Sequence, residues 1–318
     1  MVGKVTPNDM LSASRLPAVC GMSQYRSPND ELLSSIDAIN GKVPPDISNE
    51  SMDWGNKMEP TILLEAANRL DCMQLEIEHE KAYFHDSWPL SCSLDGTCYG
   101  KGQTVTSDPD RGIFVVGQDS ITLDGMGVLE AKLTAMPAED VLPLYRGPIQ
   151  LQAQMSIVKA SWGAVATLYQ GTQLRIFLFA IHKETQELIE KTSKEFQDKL
   201  DRYKNTGEID HYPPSNPKDA ARTWSSGSDD EPIVMDDYAM ELTNLLVENK
   251  QKIATMEGLN NQIQTELMGM LKNRTHGIAG QYQITWPVRH YKAKLATIVP
   301  AKEAYTVRQS TLTIKGLK

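Results

Sequence analysis

The pattern of hydrophobic and polar positions predicts a first half that mixes helices with strands and a later part that is mainly helical. Apolar residues between Ile62 and Leu70 recur at helical spacing, which indicates one buried face. The nearly continuous apolar run 175–181 is typical of a strand covered on both faces. The predicted helices are 29–40, 52–70, 147–160, 183–204 and 238–272, and the predicted strands are 73–84, 90–98, 126–134, 164–170 and 174–181.

The segment 99–121 interrupts this order. It is rich in Gly, Asp and Thr, and we predict an inserted hairpin whose apolar arm is Ile113–Val116. Turn-forming residues that flank a short apolar run are the pattern expected of such a hairpin.

The chain divides at His182 into a predicted core, 1–182, and a C-terminal extension, 183–318. The extension begins with the charged helix 183–204, and a Pro- and Ser-containing connection at 213–237 follows, which we predict to be flexible. Alternating residues near the C-terminus predict a terminal β-hairpin. Helix 238–272 carries a heptad-like stripe, and this stripe indicates either a helical hairpin that packs on itself or a contact with a partner or second copy. Its members are Leu246, Ile253, Met256, Asn260, Ile263, Leu267 and Met270.

Candidate chemistry lies on the strand 126–134, which is entered through Gly125 and Gly127. Glu130 and Lys132 are two residues apart, so both side chains point to the same face of the strand. The carboxylate of Glu130 and one from a neighbouring strand, Asp95, would supply hard oxygen ligands for Mg²⁺. The ammonium group of Lys132 would remain free beside them. This is the minimum equipment for metal-assisted phosphodiester hydrolysis.

A second aspartate competes with Asp95 for the role of metal ligand. Asp124 precedes Gly125 and repeats the Leu-Asp-Gly string that contains Asp95. An Asp-Gly pair immediately before a strand is a strong turn signal, whereas Asp95 lies among apolar strand residues. We therefore favour Asp95.

Composition limits the class of protein. The 318 residues are 40% hydrophobic and 23% charged, which is ordinary for a globular protein with a full core. A net charge of -9 argues against a protein that coats nucleic acid by charge alone. No stretch approaches the ~18 apolar residues of a membrane helix, and no secretory signal begins the chain, so we expect a cytoplasmic protein.

Six short motifs follow one another along the chain. They are Ser12-Ala13-Ser14, Gly21-x-Ser23-x-Tyr25, Trp54-Gly55-x-x-x-Glu59-Pro60, Asp95-Gly96, Glu130-x-Lys132 and Gln150-x-Gln152-x-x-Met155. In this order they resemble the YqaJ-type viral recombinase family, which includes the lambda-type phage exonucleases of the PD-(D/E)XK nuclease superfamily. The likeness covers roughly residues 10 to 182 and implies an α/β (α+β) fold with a mixed central sheet flanked by helices.

The resemblance implies roles for individual residues. Asp95 and Glu130 would bind the metal directly, with the carbonyl of Ala131 as a further ligand, and Glu59 would serve a second metal or its water. Lys132 and Gln152 would position the water and the scissile phosphate, with Gln150 as the alternative glutamine. The turn at Ser12, Ser14 and Arg15 matches the family's site for a terminal 5′-phosphate, although the arginine that relatives place upstream is missing here.

The implied activity is that of a 5′→3′ exonuclease on linear double-stranded DNA ends. It would depend on Mg²⁺, with Mn²⁺ as a possible substitute, and it would come from a phage or prophage in a bacterial host. The expected partners are a single-strand annealing protein and further copies of the chain in a homotrimer. The alternatives are a structure- or site-specific endonuclease on the same fold, and a non-catalytic DNA-binding or scaffold protein.

Overall fold

The computed structural model describes residues 6–42, 49–77, 81–225 and 232–289. The chain forms two compact units, Met1–Thr223 and Trp224–Lys318. The helices are α1 Leu16–Val19, α2 Pro28–Ile39, α3 Glu50–Arg69, α4 Pro148–Val158, α5 Lys183–Thr206, α6 Pro217–Thr223 and α7 Asp237–Leu271, with 3₁₀ turns at Ala13–Arg15 and Pro109–Arg111. The strands are β1 Met73–Ile77, β2 Tyr83–Phe84, β3 Ser91–Cys92, β4 Gly96–Thr106, β5 Ile113–Val115, β6 Ser120–Thr134, β7 Trp162–Tyr169, β8 Gln173–Ala180, β9 His276–Ala279 and β10 Tyr282–Thr285.

A six-stranded mixed sheet forms the centre of the first unit, with the strand order β1-β4-β6-β7-β8-β5. The pairs β6/β7 and β5/β8 are parallel, and the remaining neighbours are antiparallel. In the centre, Gly96 of β4 lies opposite Leu129 of β6, so Asp95 comes directly before the strand that neighbours Glu130. The predicted mixed sheet is confirmed.

Helices cover both faces of this sheet. On one face, Leu63 and Ala66 of α3 pack with Leu129 and Trp162. On the other face, α4 packs against Val128, and residues of α1, α2 and α5 join the same core. Because neighbouring strand residues point to opposite faces, Glu130 and Lys132 share the α4 face with Val128. The predicted arrangement of a sheet between helices is therefore confirmed.

Gly127 is required by the packing of the central strands. It lies opposite Trp162 in the parallel pair β6/β7. A Cβ atom at residue 127 would come within 2.3 Å of the Trp162 ring. Any side chain at this position, three residues before Glu130, would collide with the Trp162 indole.

The segment around Asp95 differs from the predicted strand 90–98. Here β3 ends at Cys92, and Asp95 occupies a bend immediately before β4. The expected inserted hairpin is also different. β4 and β6 continue past the sheet as paired arms up to Thr106 opposite Ser120, while β5 leaves them and pairs with β8. The arms of the expected hairpin are therefore the far ends of the long β4/β6 pair itself.

The first unit continues beyond the predicted boundary at residue 182. Helix α5 buries Ile189, Phe196 and Leu200 in the core that α4 also joins. The charges of 183–204 therefore lie only on the outer side of a helix whose apolar side is part of the core. Within the connection predicted as flexible, 217–223 form α6.

The second unit contains one uninterrupted helix, α7, and the antiparallel hairpin of β9 and β10. Over the residues that the structure describes, α7 does not fold back on itself, so a self-packed helical hairpin is excluded there. The hairpin strands lie at 276–279 and 282–285. The alternating segment 310–314 lies outside the described residues. None of the described helices is long and apolar enough to cross a membrane.

Candidate active site

Glu130 lies at the centre of the candidate site, in the middle of β6, and its side chain is buried. One carboxylate oxygen, Oε1, accepts hydrogen bonds from the Lys132 ammonium and from Nε2 of Gln150, the latter at 2.7 Å. The other oxygen, Oε2, accepts one from Nε2 of Gln154, also at 2.7 Å. A buried carboxylate needs such partners, because removal from water strongly disfavours its charged form.

Asp95 approaches Glu130 from the bend immediately before β4. Its Oδ2 accepts a hydrogen bond from the backbone N–H of Ala131 at 2.9 Å. Burial raises the pKa of Asp95 well above its usual value, and the negative charges of Glu130 and Glu59 raise it further, while Lys132 acts in the opposite direction. The two carboxylates therefore repel each other, and a cation placed between them would relieve that repulsion.

Lys132 is half-buried and points to the same face as Glu130. Burial alone would lower its pKa, but the charges of Glu130, Asp95 and Glu59 outweigh burial, and the pKa is raised. The raised pKa favours the ammonium form of Lys132, which places a positive charge beside the two carboxylates. Glu59, from α3, is close enough for its charge to act on both Asp95 and Lys132.

The donor set fits a hard divalent cation. Asp95, Glu130 and the carbonyl of Ala131 supply oxygen ligands, which Mg²⁺ prefers, and Mg²⁺ usually completes its shell with water or phosphate. No three His, Cys, Asp or Glu side chains in the described residues gather closely enough to hold a metal on their own. One buried acceptor, Oε1 of Gln154, has no hydrogen-bond partner among the described residues, which suits a metal-bound water.

The two glutamines that reach Glu130 project from one face of α4. Gln150 and Gln154 are four residues apart, one turn of helix, and both donate to the Glu130 carboxylate. Gln150 also accepts a hydrogen bond from Lys132 at 3.5 Å. The sequence indicated Gln150 only as the alternative, and Gln154 was missed although its spacing from Gln150 could have indicated it.

Gln152, the glutamine favoured from the sequence, does not reach the site. It lies two residues from Gln150, about 200° around the helix, and so points away from Glu130. Its Nε2 donates to the carbonyl of Ala180 at 2.7 Å, and its Oε1 accepts from the N–H of His182 at 3.0 Å. Gln152 therefore stabilises the junction of β8 and α5, and Gln150, the alternative glutamine, is the one that contacts Glu130 and Lys132.

Arg15 is not available to bind a phosphate. Its guanidinium is buried and forms an ion pair of 2.5 Å with Glu31, and it also donates to Ser35 at 2.9 Å. The remaining N–H groups donate to the carbonyls of Asn8, Met10 and Glu31. With every donor engaged, Arg15 holds the N-terminal segment on α2. Of the two alternatives for the missing arginine, replacement by Arg15 or weaker phosphate recognition, these contacts favour the second.

The two serines of the same turn differ in exposure. Ser12 is buried, while Ser14 is exposed, and their hydroxyl oxygens are 3.3 Å apart. Ser14 is therefore the one residue of the predicted phosphate turn that a DNA end could contact directly.

Asp124, the competitor of Asp95, lies elsewhere. It is exposed on β6 and faces Lys101 across the antiparallel pair β4/β6. Six residues of a strand separate Asp124 from Glu130, roughly 20 Å at ~3.3 Å per residue. The structure thus brings Asp95, and not Asp124, to Glu130 and Lys132.

Comparison with known proteins matches part of the chain to one family model. Residues 6–159 match the YqaJ-like viral recombinase domain. The crystal structure of an alkaline exonuclease, LHK-Exo, from Laribacter hongkongensis is similar at 15% identity with a TM-score of 0.42, over 61% of this chain and 89% of that one. LHK-Exo in complex with dAMP is similar at 15% identity with a TM-score of 0.40, over the same shares.

No curated protein is significantly similar to the chain in sequence. The family match covers every residue of the Asp95, Glu130 and Lys132 cluster and its two glutamines. The match, which covers just under half of the chain, assigns a YqaJ-like viral recombinase domain to residues 6–159 and supports a nuclease of the phage recombination type.

Proposed function

We propose that this chain is a Mg²⁺-dependent exonuclease that degrades linear double-stranded DNA from the 5′ end and leaves 3′ single-stranded overhangs. The observation that supports it most is the pair of adjacent carboxylates, Asp95 and Glu130, beside the ammonium group of Lys132. The direction of degradation follows the family resemblance.

The side chains divide the work of phosphodiester hydrolysis. When bound, the divalent metal would lower the pKa of a water molecule and neutralise charge on the leaving oxygen. Asp95, Glu130 and the Ala131 carbonyl would hold it, with Glu59 directed at a second metal or its water. Lys132 would stabilise negative charge on the scissile phosphate, as a compact ammonium does well. Gln150 fixes the position of Lys132 relative to Glu130, since it contacts both.

Recognition of the 5′ end would rest on the turn that contains Ser14. Its exposed hydroxyl and the backbone N–H groups at the start of the Ala13–Arg15 turn can bind a phosphate without an arginine. Because Arg15 is occupied by Glu31, we expect weaker selection for a 5′-phosphate than an arginine would give.

The expected partners are a single-strand annealing protein, which would receive the 3′ strand, and two further copies of the nuclease unit in a closed trimer. A net charge of -9 makes a purely electrostatic hold on DNA less effective. A closed ring around the duplex would retain the DNA at salt concentrations that weaken such a hold, and cyclic symmetry is common among homo-oligomers.

The direct test follows digestion of a linear duplex labelled at either the 5′ or the 3′ end. Incubation with Mg²⁺, with Mn²⁺ and with a chelator shows the metal requirement, and a closed circular plasmid shows the dependence on an end. We expect immediate release of the 5′ label, slow release of the 3′ label, and an intact plasmid. Glu130→Gln, tested in parallel, excludes a contaminating nuclease.

Three outcomes would overturn the proposal. Cleavage of the closed plasmid would indicate the endonuclease that shares this fold. Undiminished cleavage in the chelator would remove the metal from the mechanism. If the wild-type chain bound DNA but did not cleave it, the result would support the non-catalytic DNA-binding or scaffold protein.

A further inference from the structure

The long helix α7 carries a heptad stripe most of whose members are exposed. Spacings of three and four residues alternate without a break from Leu242 to Met270. In the chain by itself, Ile253 is 57% exposed, Met256 is 63% exposed and Ile263 is 57% exposed. The two glycines of α7, Gly258 and Gly269, lie outside the stripe. An apolar stripe that runs for four heptads is characteristic of a coiled-coil helix.

Two asparagines interrupt the stripe, and their positions are informative. Asn249 and Asn260 occupy stripe positions that would otherwise be apolar. A polar residue at such a position costs stability unless it meets another polar residue, so it selects the register of the pair. The two asparagines lie at equal distances from a point midway between residues 254 and 255.

An antiparallel pair of α7 helices centred on that point matches every layer. Each apolar residue meets an apolar residue, and each asparagine meets an asparagine, whereas a shift by one heptad in either direction would place both asparagines against apolar residues. The facing residues in the two copies are Ala239 with Met270, Leu242 with Leu267, Leu246 with Ile263, Asn249 with Asn260, and Ile253 with Met256.

The charges beside the stripe are compatible with the same arrangement. Lys250 follows Asn249, and Glu257 follows Met256, so both lie on the same flank of the stripe. In the antiparallel pair, Lys250 of each copy lies beside Glu257 of the other, which gives two attractive pairs. A parallel pair would instead match Lys252 with Glu257, so exchanging these charges separates the two orientations.

We propose that α7 is a self-association surface that pairs two copies of this chain as an antiparallel coiled coil. The proposal is independent of the nuclease activity, since it concerns residues 237–271 alone. If the nuclease units also form trimers, α7 joins two of them; if they do not, it joins two chains.

Sedimentation velocity of the full chain tests the surface. Ile253→Glu with Met256→Glu places two charges in the stripe, while Gln251→Glu with Gln262→Glu places the same charges on the outer side of α7. We expect the first variant to have half the mass of the wild type and the second to keep it. An unchanged mass in the stripe variant, with helix content retained by circular dichroism, would overturn the proposal, and a threefold fall would indicate a trimeric coil.

Charge reversal tests the orientation. Lys250→Glu and Glu257→Lys should each weaken self-association about tenfold, because two attractive pairs become repulsive. An equimolar mixture of the two variants should restore it. In the mixed pair the introduced carboxylate of one copy meets the introduced ammonium of the other, and the unchanged Lys250 meets the unchanged Glu257. Restoration by Lys252→Glu mixed with Glu257→Lys, and not by the first mixture, would show a parallel pair and refute the antiparallel one.

Discussion

Two buried charge clusters of the first unit have opposite character. In the first cluster, the Glu31 carboxylate pairs with both Arg15 and Arg26, at 2.5 Å each, and every Arg15 donor has an acceptor. In the second, the single ammonium of Lys132 acts on two buried or half-buried carboxylates, Asp95 and Glu130. The first cluster is satisfied by the protein, while the second has a surplus of negative charge.

Whether a buried charge cluster is satisfied by the protein distinguishes a structural cluster from a functional one better than its residue types do. Both clusters contain a buried Glu and a long cation, and both lie within the family match. A satisfied cluster has no capacity left for a ligand, and its loss should affect folding. A cluster with surplus negative charge destabilises the empty protein and gains from a cation, as is usual at functional sites.

The largest effect should come from removal of charge at the unsatisfied cluster. Glu130→Gln deletes a proposed metal ligand, and we expect the rate of DNA cleavage to fall by roughly a thousandfold, the scale of a lost electrostatic stabiliser. Thermal unfolding should change little. Asp124→Asn is the matched control, because Asp124 is exposed and lies away from the site. Normal cleavage by Glu130→Gln would refute the assignment.

The satisfied cluster should respond in the opposite way. Arg15→Met leaves Glu31 buried with only Arg26, which is itself 45% exposed, as its cation. We expect the free energy of unfolding to fall by about 3 kcal/mol, the scale for breaking a buried pair. Measured below the lowered melting temperature, the cleavage rate per folded molecule should stay within about twofold of wild type. If only cleavage or 5′-phosphate recognition fell, and stability did not, Arg15 would instead be a DNA-binding residue.

The contrast also explains what the sequence could predict. Glu130 and Lys132 were predictable because residues two apart on a strand share a face, and β6 is a regular strand there. The mixed sheet followed from the family resemblance and from the apolar run that forms β8. Arg15 could not be assigned, because its partner Glu31 lies sixteen residues away on another helix. A pattern in the sequence shows that a residue is charged, but not which tertiary contact satisfies it.

The glutamines and Asp95 show the same limit at a finer scale. The choice between Gln150 and Gln152 depends on which side of α4 faces the sheet, and three glutamines spaced by two residues cover both sides. The bend at Asp95 was also hidden, because the residues around it suggested a continuous strand. For α4 the pattern was correct about the helix but not about its rotation, and at Asp95 it missed the break between β3 and β4.

The three glutamines of α4 sharpen the comparison within one helix. Gln150→Ala and Gln154→Ala remove donors to Glu130, so we expect cleavage to fall by about 10- to 100-fold, as for groups that orient a ligand. Gln152→Ala should leave cleavage within severalfold of wild type. It should lower the melting temperature, since it removes the hydrogen bonds to the backbone of His182 and Ala180. The measurements are initial rates and thermal unfolding on the same preparations. An equal loss of cleavage in all three variants would contradict the assignment by helix face.

The smallest effect concerns the stability of the metal-free protein and its dependence on pH. The pKa of Asp95 is raised in the folded chain, mainly by burial and then by Glu130, so the folded state holds this proton more tightly than the unfolded state does. Stability from this group is therefore present below its usual pKa of 3.8 and is lost as the pH rises towards the folded pKa. Asp95→Asn carries no such charge.

In a chelator, Asp95→Asn should accordingly be more stable than the wild type at neutral pH, by on the order of 1 kcal/mol, and the two should converge near pH ~4. Added Mg²⁺ should reverse the order, since it stabilises the protein that binds it in proportion to the logarithm of its concentration over Kd. Denaturant unfolding at several pH values, with and without Mg²⁺, measures both effects. If the wild type were instead the more stable protein in chelator at neutral pH, the Asp95 carboxylate would be compensated by its neighbours, as the charge of Arg15 is. The contrast between the two clusters would then be wrong.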